Sequence, residues 1–438
     1  MNNYYCLDLK FKDQNISSKV HHAHLFVSDE KIYLQIIDDD IKSQVDNFYS
    51  ISNNALGFFE DNFEIIKTEI GIILEKSKIY KVVSFESDER HQYFTIFIGS
   101  ICLVRENEYK DYINEGKAVL NENGLKVVNL FYSFFTNLKD KNVFSISRMN
   151  GMSDFYNINE MEFRPELDFV NNEQRGSREF TITKIPTINF NFKNLVYGEI
   201  VRYNKIICTF LSFCFGVRIT IKKIVYRTDQ DIYILRNTAP NNKIYISEFS
   251  VIFSLLEENY NIEKILKTNW FDYFLGNETK INKAIDNYLH SREVELSSAF
   301  LLLFNIIEIF NINQTQEKFQ FNGLKEENFS KAYELIKESL ADDEDVNLLK
   351  NKWDGLINKI SIKPLKSPLE ETLKTNNINS LAFGFSFKKL KETRDKLTHG
   401  SVNSIKEEDL KLQIYCLRKI AISLILSNLG LKNDLKTD

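Results

Sequence analysis

The chain has 438 residues, 43% hydrophobic and 27% charged, with a formal net charge of −5 from 61 acidic and 56 basic side chains. That balance excludes a disordered chain. It also excludes a protein that is basic throughout, so any nucleic-acid site must be a local patch. Five cysteines without a CxxC pair exclude a disulfide framework or a zinc knuckle, and a reducing cytoplasm is the expected setting.

The N-terminus, MNNYYCLDLKFKD, lacks a basic start followed by an apolar run, so no signal peptide is expected. HHAH at 21–24 is the first polar cluster. On a strand His22 and His24 would share a face, with His21 on the other, and Asp38, Asp39 and Asp40 follow nearby. No spacing there matches a metal site, so a strand start and a solvated turn is the plainer reading, and no metal or cofactor is expected.

Strand-like segments follow: KIYLQII (31–37), EIGIILE (69–75), YKVVSF (80–85) and YFTIFIGSICLV (93–104). EFTITKI (179–185) and TINFNF (187–192) form a second group. The run 193–216 is helix-like, and its IICTFLSFCFGV portion is too short to span a bilayer, so no membrane association is expected. Cys208 and Cys214 within it read as small buried residues. VRITIKKIVYR (217–227) and DIYILR (231–236) return to strand character.

From 247 onward apolar residues recur three and four apart, in 247–270, 295–310, 326–340 and 345–360. The acidic run ADDED (341–345) suits a loop and helix N-terminus. For the last helix, Ser404 and Glu407 have capping-box spacing, and Leu410, Ile414, Leu417, Ala421 and Leu424 form its stripe. Gly430 is the expected stop. The predicted architecture is therefore α+β, with a β-rich N-terminal region carrying an inserted helix over 1–245 and an all-α bundle over 246–438.

TRDKLTHG (393–400) is the stretch with chemical potential. A helix from Ser386 to Gly400 would place Phe387 and Leu390 on its inner stripe and Arg394 about 20° from Phe387. An arginine there needs a partner or a cleft. AFLLLFNIIEIF (299–310) is apolar except for Asn305 and Glu308, three apart, so Glu308 is the predicted partner of Arg394. His399 lies about 140° around from Arg394, so one straight helix cannot aim both at one group. Either the helix ends bend or two copies supply one site. The negative end of the helix favours a protonated His399. Lys388, Lys389, Lys391 and Lys396 against Glu392 and Asp395 make the stretch locally basic. On spacing alone, R-x4-H is a weak pattern, and a helix ending in His-Gly is ordinary C-cap chemistry.

Arg394 to His399, RDKLTH, resembles the R-x4-6-H motif of HEPN-domain ribonucleases, with Asp395 as the polar residue after the arginine. FLLLFNIIEIF (300–310) resembles the apolar helix of the ApeA-type branch, a group of bacterial abortive-infection proteins. FLSFCFGVRITI (210–221) is similar to the helix–Gly–strand passage closing their N-terminal domain.

The resemblance implies a metal-independent endoribonuclease active in antiphage defence. The RNA 2′-hydroxyl would attack the adjacent phosphate, His399 would move a proton, and Arg394 would stabilise the phosphate charge. Asp395 would orient or tune a neighbour, and the four lysines would bind RNA. The resemblance also implies an RNA substrate (tRNA is a candidate), a homodimer through the helical domain, and a phage-encoded trigger sensed by the N-terminal region. The rival expectation is a non-catalytic HEPN fold acting as sensor or scaffold.

Overall fold

Alternation dominates the first strands: in VHHAHLFV the residues at 21, 23, 25 and 27 are buried while 20, 22 and 24 are exposed. A strand that buries every second residue covers one side of a sheet and leaves the other to solvent. In a computed structural model of the chain, described over residues 3–11, 19–28, 31–37, 63–68, 71–73, 79–83, 93–98, 100–107, 114–134, 146–148, 155–173, 180–237, 262–311, 326–340, 342–361, 366–400 and 405–431, sixteen strands and eleven α-helices form. The expected Asp38–Asp40 cluster, Ser404 and the segment 247–261 lie outside these residues.

The strands are β1 (Asn3–Phe11), β2 (Val20–Val27), β3 (Ile32–Ile37), β4 (Phe63–Thr68), β5 (Gly71–Ile73), β6 (Ile79–Val83), β7 (Tyr93–Ile98), β8 (Ser100–Glu106), β9 (Glu115–Leu120), β10 (Tyr132–Phe134), β11 (Ile146–Arg148), β12 (Tyr156–Ile158), β13 (Met161–Glu173), β14 (Phe180–Phe192), β15 (Ile221–Arg227) and β16 (Asp231–Asn237). They build a six-stranded sheet, β4-β1-β2-β3-β7-β6, and an eight-stranded sheet, β12-β13-β14-β9-β15-β16-β8-β5, with β10 and β11 paired apart. The continuous run 93–104 is split between the two sheets, because β7 pairs with β3 while β8 pairs with β16.

Gly116 explains how the larger sheet packs at its centre. It lies in register between Phe190 and Tyr226, and a Cβ there would come within 2.2 Å of the Phe190 ring and 2.7 Å of the Tyr226 Cβ. Only a residue without a side chain lets two aromatics close over the strand. The inserted helix, α2 (Tyr197–Phe215), follows the short α1 (Leu125–Phe131). It ends where Gly216 turns left-handed at φ 62°. The next strand begins at Ile221 rather than at 217. Burial pushes the Cys208 and Cys214 thiols well up, so both sit as inert apolar residues.

The chain divides into two compact units, Met1–Asp272 and Tyr273–Asp438. The division falls downstream of the expected 245/246. Trp270 and Phe271, at the start of α4 (Trp270–Gly276) after α3 (Ile262–Leu266), account for the shift. The Trp270 ring stacks on Phe210 of α2 at 3.8 Å, and Phe271 meets Tyr203 edge-on at 4.9 Å.

The second unit is helical: α5 (Glu278–His290), α6 (Leu296–Ile309), α7 (Glu326–Glu338), α8 (Asp343–Ser361), α9 (Lys366–Thr375), α10 (Phe387–Thr398) and α11 (Glu407–Asn428). Helix α6 packs against α5, α9, α10 and α11. That position answers why it is apolar all round: Phe300, Leu303, Phe304, Ile306 and Ile307 are buried on successive faces. Leu410, Ile414, Leu417, Ala421 and Leu424 of α11 are buried as the stripe predicts, and Gly430 takes φ 71° past its end. At its start the N-cap is Lys406, and Glu407 pairs with Lys411 at 2.7 Å. Thus the molecule is mixed, with a β-sheet region followed by a helical C-terminal part. No helix among the described residues is long and apolar enough to cross a membrane.

Candidate functional site

Helix α10 carries the site, and its ends follow local rules. The Ser386 Oγ accepts from Lys389 N at 3.3 Å and caps the start. His399 is the C-cap, its N–H donating to the Asp395 carbonyl at 3.0 Å, and Gly400 follows with φ 78°. Between these ends Phe387, Leu390, Thr393 and Leu397 form the buried stripe.

That stripe corrects one expectation. Thr393 occupies the inner position, and Arg394 sits at its margin with 28% of its side chain exposed. The backbone therefore does not bury the guanidinium. Its long stem carries it across the α6 surface, where it lies 6.0 Å over the Phe304 ring. Phe304 in turn stacks on Phe387 at 5.9 Å.

The guanidinium meets two carboxylates. Arg394 Nη2 donates to Glu308 Oε1 at 3.0 Å, across 86 residues of sequence, and Nη1 donates to Asp395 Oδ1 at 3.3 Å. Lys391 Nζ reaches the other Asp395 oxygen at 3.0 Å. The four form one chain of alternating charge, Glu308–Arg394–Asp395–Lys391, with no net charge. Burial pushes the Asp395 carboxyl upward, but Lys391 and then Arg394 outweigh it and hold it below its ordinary value.

The other expected residues distribute around this chain. Asn305, half-buried one turn before Glu308, makes no hydrogen bond to Arg394 or His399 among the described residues. Lys388 is exposed and pairs loosely with Glu392 at 4.0 Å. Lys389 and Lys396 are exposed and lie about 20° apart on the outward face, and His399, also exposed, lies about 60° from Lys396. Arg394 lies about 160° from Lys396. One α10 helix thus presents its arginine inward, toward α6, and His399, Lys389 and Lys396 outward. The arrangement gives Arg394 a fixed position and leaves the exposed imidazole available for proton transfer.

Phe304 and Thr393 were not singled out in the sequence. Phe304 carried a signal, since it precedes Glu308 by four residues and so shares its face. At the histidine cluster, His21 is buried, and His22 Nδ1 lies 2.6 Å from Asp8 Oδ1. No group of three or more His, Cys, Asp or Glu able to hold a metal occurs among the described residues.

Compared with known proteins, the chain matches no family model, no curated protein and no solved structure.

Proposed function

We propose that the chain is a metal-independent endoribonuclease of HEPN type, acting in antiphage defence. The observation that carries this reading is Arg394, fixed between Glu308 and Asp395 about one and a half turns before an exposed His399 at the helix end. In the proposed reaction the RNA 2′-hydroxyl attacks the adjacent phosphorus and the 5′-oxygen of the next nucleotide leaves. The products are a 2′,3′-cyclic phosphate and a 5′-hydroxyl. His399 moves the proton, and Arg394 stabilises charge on the phosphoryl oxygens. Asp395 positions Arg394, and Lys389 and Lys396 attract the RNA backbone. Because Arg394 and His399 face different directions, the reading requires two copies whose α10 helices meet about a two-fold axis.

The test compares wild type, Arg394→Ala and His399→Ala for RNA cleavage, with tRNA among the substrates, and for growth arrest on expression. Both variants should lose cleavage and toxicity. Variants as active and as toxic as wild type would end the assignment.

A second reading has its own observation. Arg394 already has two carboxylate partners, which suits a structural pin in a non-catalytic sensor or scaffold. Absence of cleavage by wild type, with phage trigger supplied, would favour that reading.

A further inference from the structure

Helix α10 carries a carboxylate where its own geometry does not favour one. Asp395 lies at the start of the last turn, where the backbone carbonyls disfavour an anion. Its partner four residues before it is Lys391, and lysine before acid is the weaker order for a pair of this spacing. Among the four linked charges it is the most exposed, at 39% against 28% for Glu308 and Arg394 and 29% for Lys391. Exposed pairs of this kind contribute little to stability. The fold therefore gains little from Asp395.

The carboxylate is nevertheless held at both oxygens. Lys391 Nζ donates to Oδ2 at 3.0 Å, and Arg394 Nη1 donates to Oδ1 at 3.3 Å. On the helix surface Lys391 stands between the other two, about 40° from Asp395 and about 60° from Arg394. An ammonium and one arm of a guanidinium thus meet on a single oxyanion. The other arm is engaged elsewhere: Nη2 donates to Glu308 Oε1 at 3.0 Å, and the guanidinium lies over the Phe304 ring. Glu308 and Phe304 belong to α6, so Arg394 stays anchored whether or not Asp395 remains on Nη1.

We propose that Lys391 Nζ and Arg394 Nη1 form a binding site for a doubly charged phosphoryl group, which Asp395 closes by standing in for two of its oxygens. A guanidinium accepts a phosphate in the same way as a carboxylate, through donors held in one plane. A phosphate entering the site displaces Asp395, whose side chain turns into solvent. Ligands of single charge gain nothing over the tethered carboxylate. A doubly charged phosphate brings more charge and a further oxygen, and, untethered, it can stand farther from the helix carbonyls. The site itself stands on these contacts; its part in RNA cleavage rests on the nuclease reading. Under that reading the 2′-oxygen, having given up its proton, adds to a singly charged diester, and the phosphoryl oxygens then carry two charges. Asp395 holds Nη1 in place until that second charge develops, and the site favours the transition state over the bound diester.

The test is a phosphorus NMR titration of the full chain with inorganic phosphate at about pH 8, where phosphate carries two charges. Asp395→Asn removes the competing charge and should bind phosphate about fivefold more tightly than wild type, equivalent to an exposed ion pair of about 1 kcal/mol. Asp395→Ala should show the same gain. Adding Lys391→Ala to Asp395→Asn should abolish it. Glu392→Gln takes the same charge from the same helix outside the site, and should leave phosphate binding at the wild-type level. Dimethyl phosphate, with one charge, should show a smaller gain in Asp395→Asn than inorganic phosphate. No gain in either Asp395 variant overturns the proposal, as does a gain that survives Lys391→Ala. An equal gain in Glu392→Gln would show net charge acting alone, and an equal gain for dimethyl phosphate would remove the preference for double charge; either also overturns it. Phosphate binding needs no cleavage, so an inactive wild type leaves this site standing, and a failed titration leaves the roles of Arg394 and His399 to their own test.

Discussion

Two polar pairs distinguish the two units. In the sheet, His22 finds Asp8 only 14 residues away, because a hairpin sets each residue opposite its partner. In the helical unit, Arg394 finds Glu308 across 86 residues, through the packing of one helix on another. The first pair is exposed and hangs on backbone register. The second is half-buried over an aromatic floor and hangs on the core beneath it. The helical pair therefore depends on tertiary packing and the sheet pair on strand register.

The sharpest way to break this contrast is to remove the floor. Phe304→Ala should cost about 3–5 kcal/mol in denaturant unfolding and release Arg394 from its place. A loss below about 1 kcal/mol would mean that the guanidinium does not rely on the core. For the sheet, the comparable test is backbone crowding. Gly116→Val should cost about 1–3 kcal/mol, since Phe190 and Tyr226 must move to admit a side chain.

Next is the pair itself. Glu308→Gln should destabilise by about 1–3 kcal/mol, because a charge-assisted hydrogen bond is lost at a half-buried site. The double variant Glu308→Arg with Arg394→Glu should recover part of what each single change loses, measured by the same unfolding series. No recovery would show that the pairing contributes nothing.

Asp395 gives the pH arm. Its folded-state pKa is lowered, so its contribution is present above the ordinary carboxylate value of about 3.9 and fades as pH falls through the lower folded value. Asp395→Asn should flatten the acid limb of the stability–pH curve. The effect is small because the carboxylate is 39% exposed. Smallest of all, Asp8→Asn should change stability by less than about 0.5 kcal/mol, as an exposed pair does. A larger loss would make the sheet pair structural and erase the distinction.

Much of the local structure was legible in the sequence. Ser386, Gly400 and Gly430 bound their helices as expected, since caps depend on residues within one turn. The largely apolar α6 pointed to a central position, and its Glu308 pointed to a cation; Arg394 is that cation. At the start of α11 Glu407 bonds forward to Lys411, while Ser404, its predicted capping-box partner, lies outside the described residues.

What the sequence by itself determined was periodicity: alternation over the strands, three-and-four spacing over the helices, and the angle separating Arg394 from His399. Those follow from geometry fixed by the backbone, whatever the partners. Tertiary structure alone decided the rest. It split 93–104 between two sheets, because strand pairing chooses partners from anywhere in the chain. It drew the division of units past Trp270, because a ring buried on Phe210 outweighs the local change of pattern. It also buried Thr393 and left Arg394 at the margin of the stripe, because a core admits the short side chain and leaves the long charged one to reach its partner along the surface.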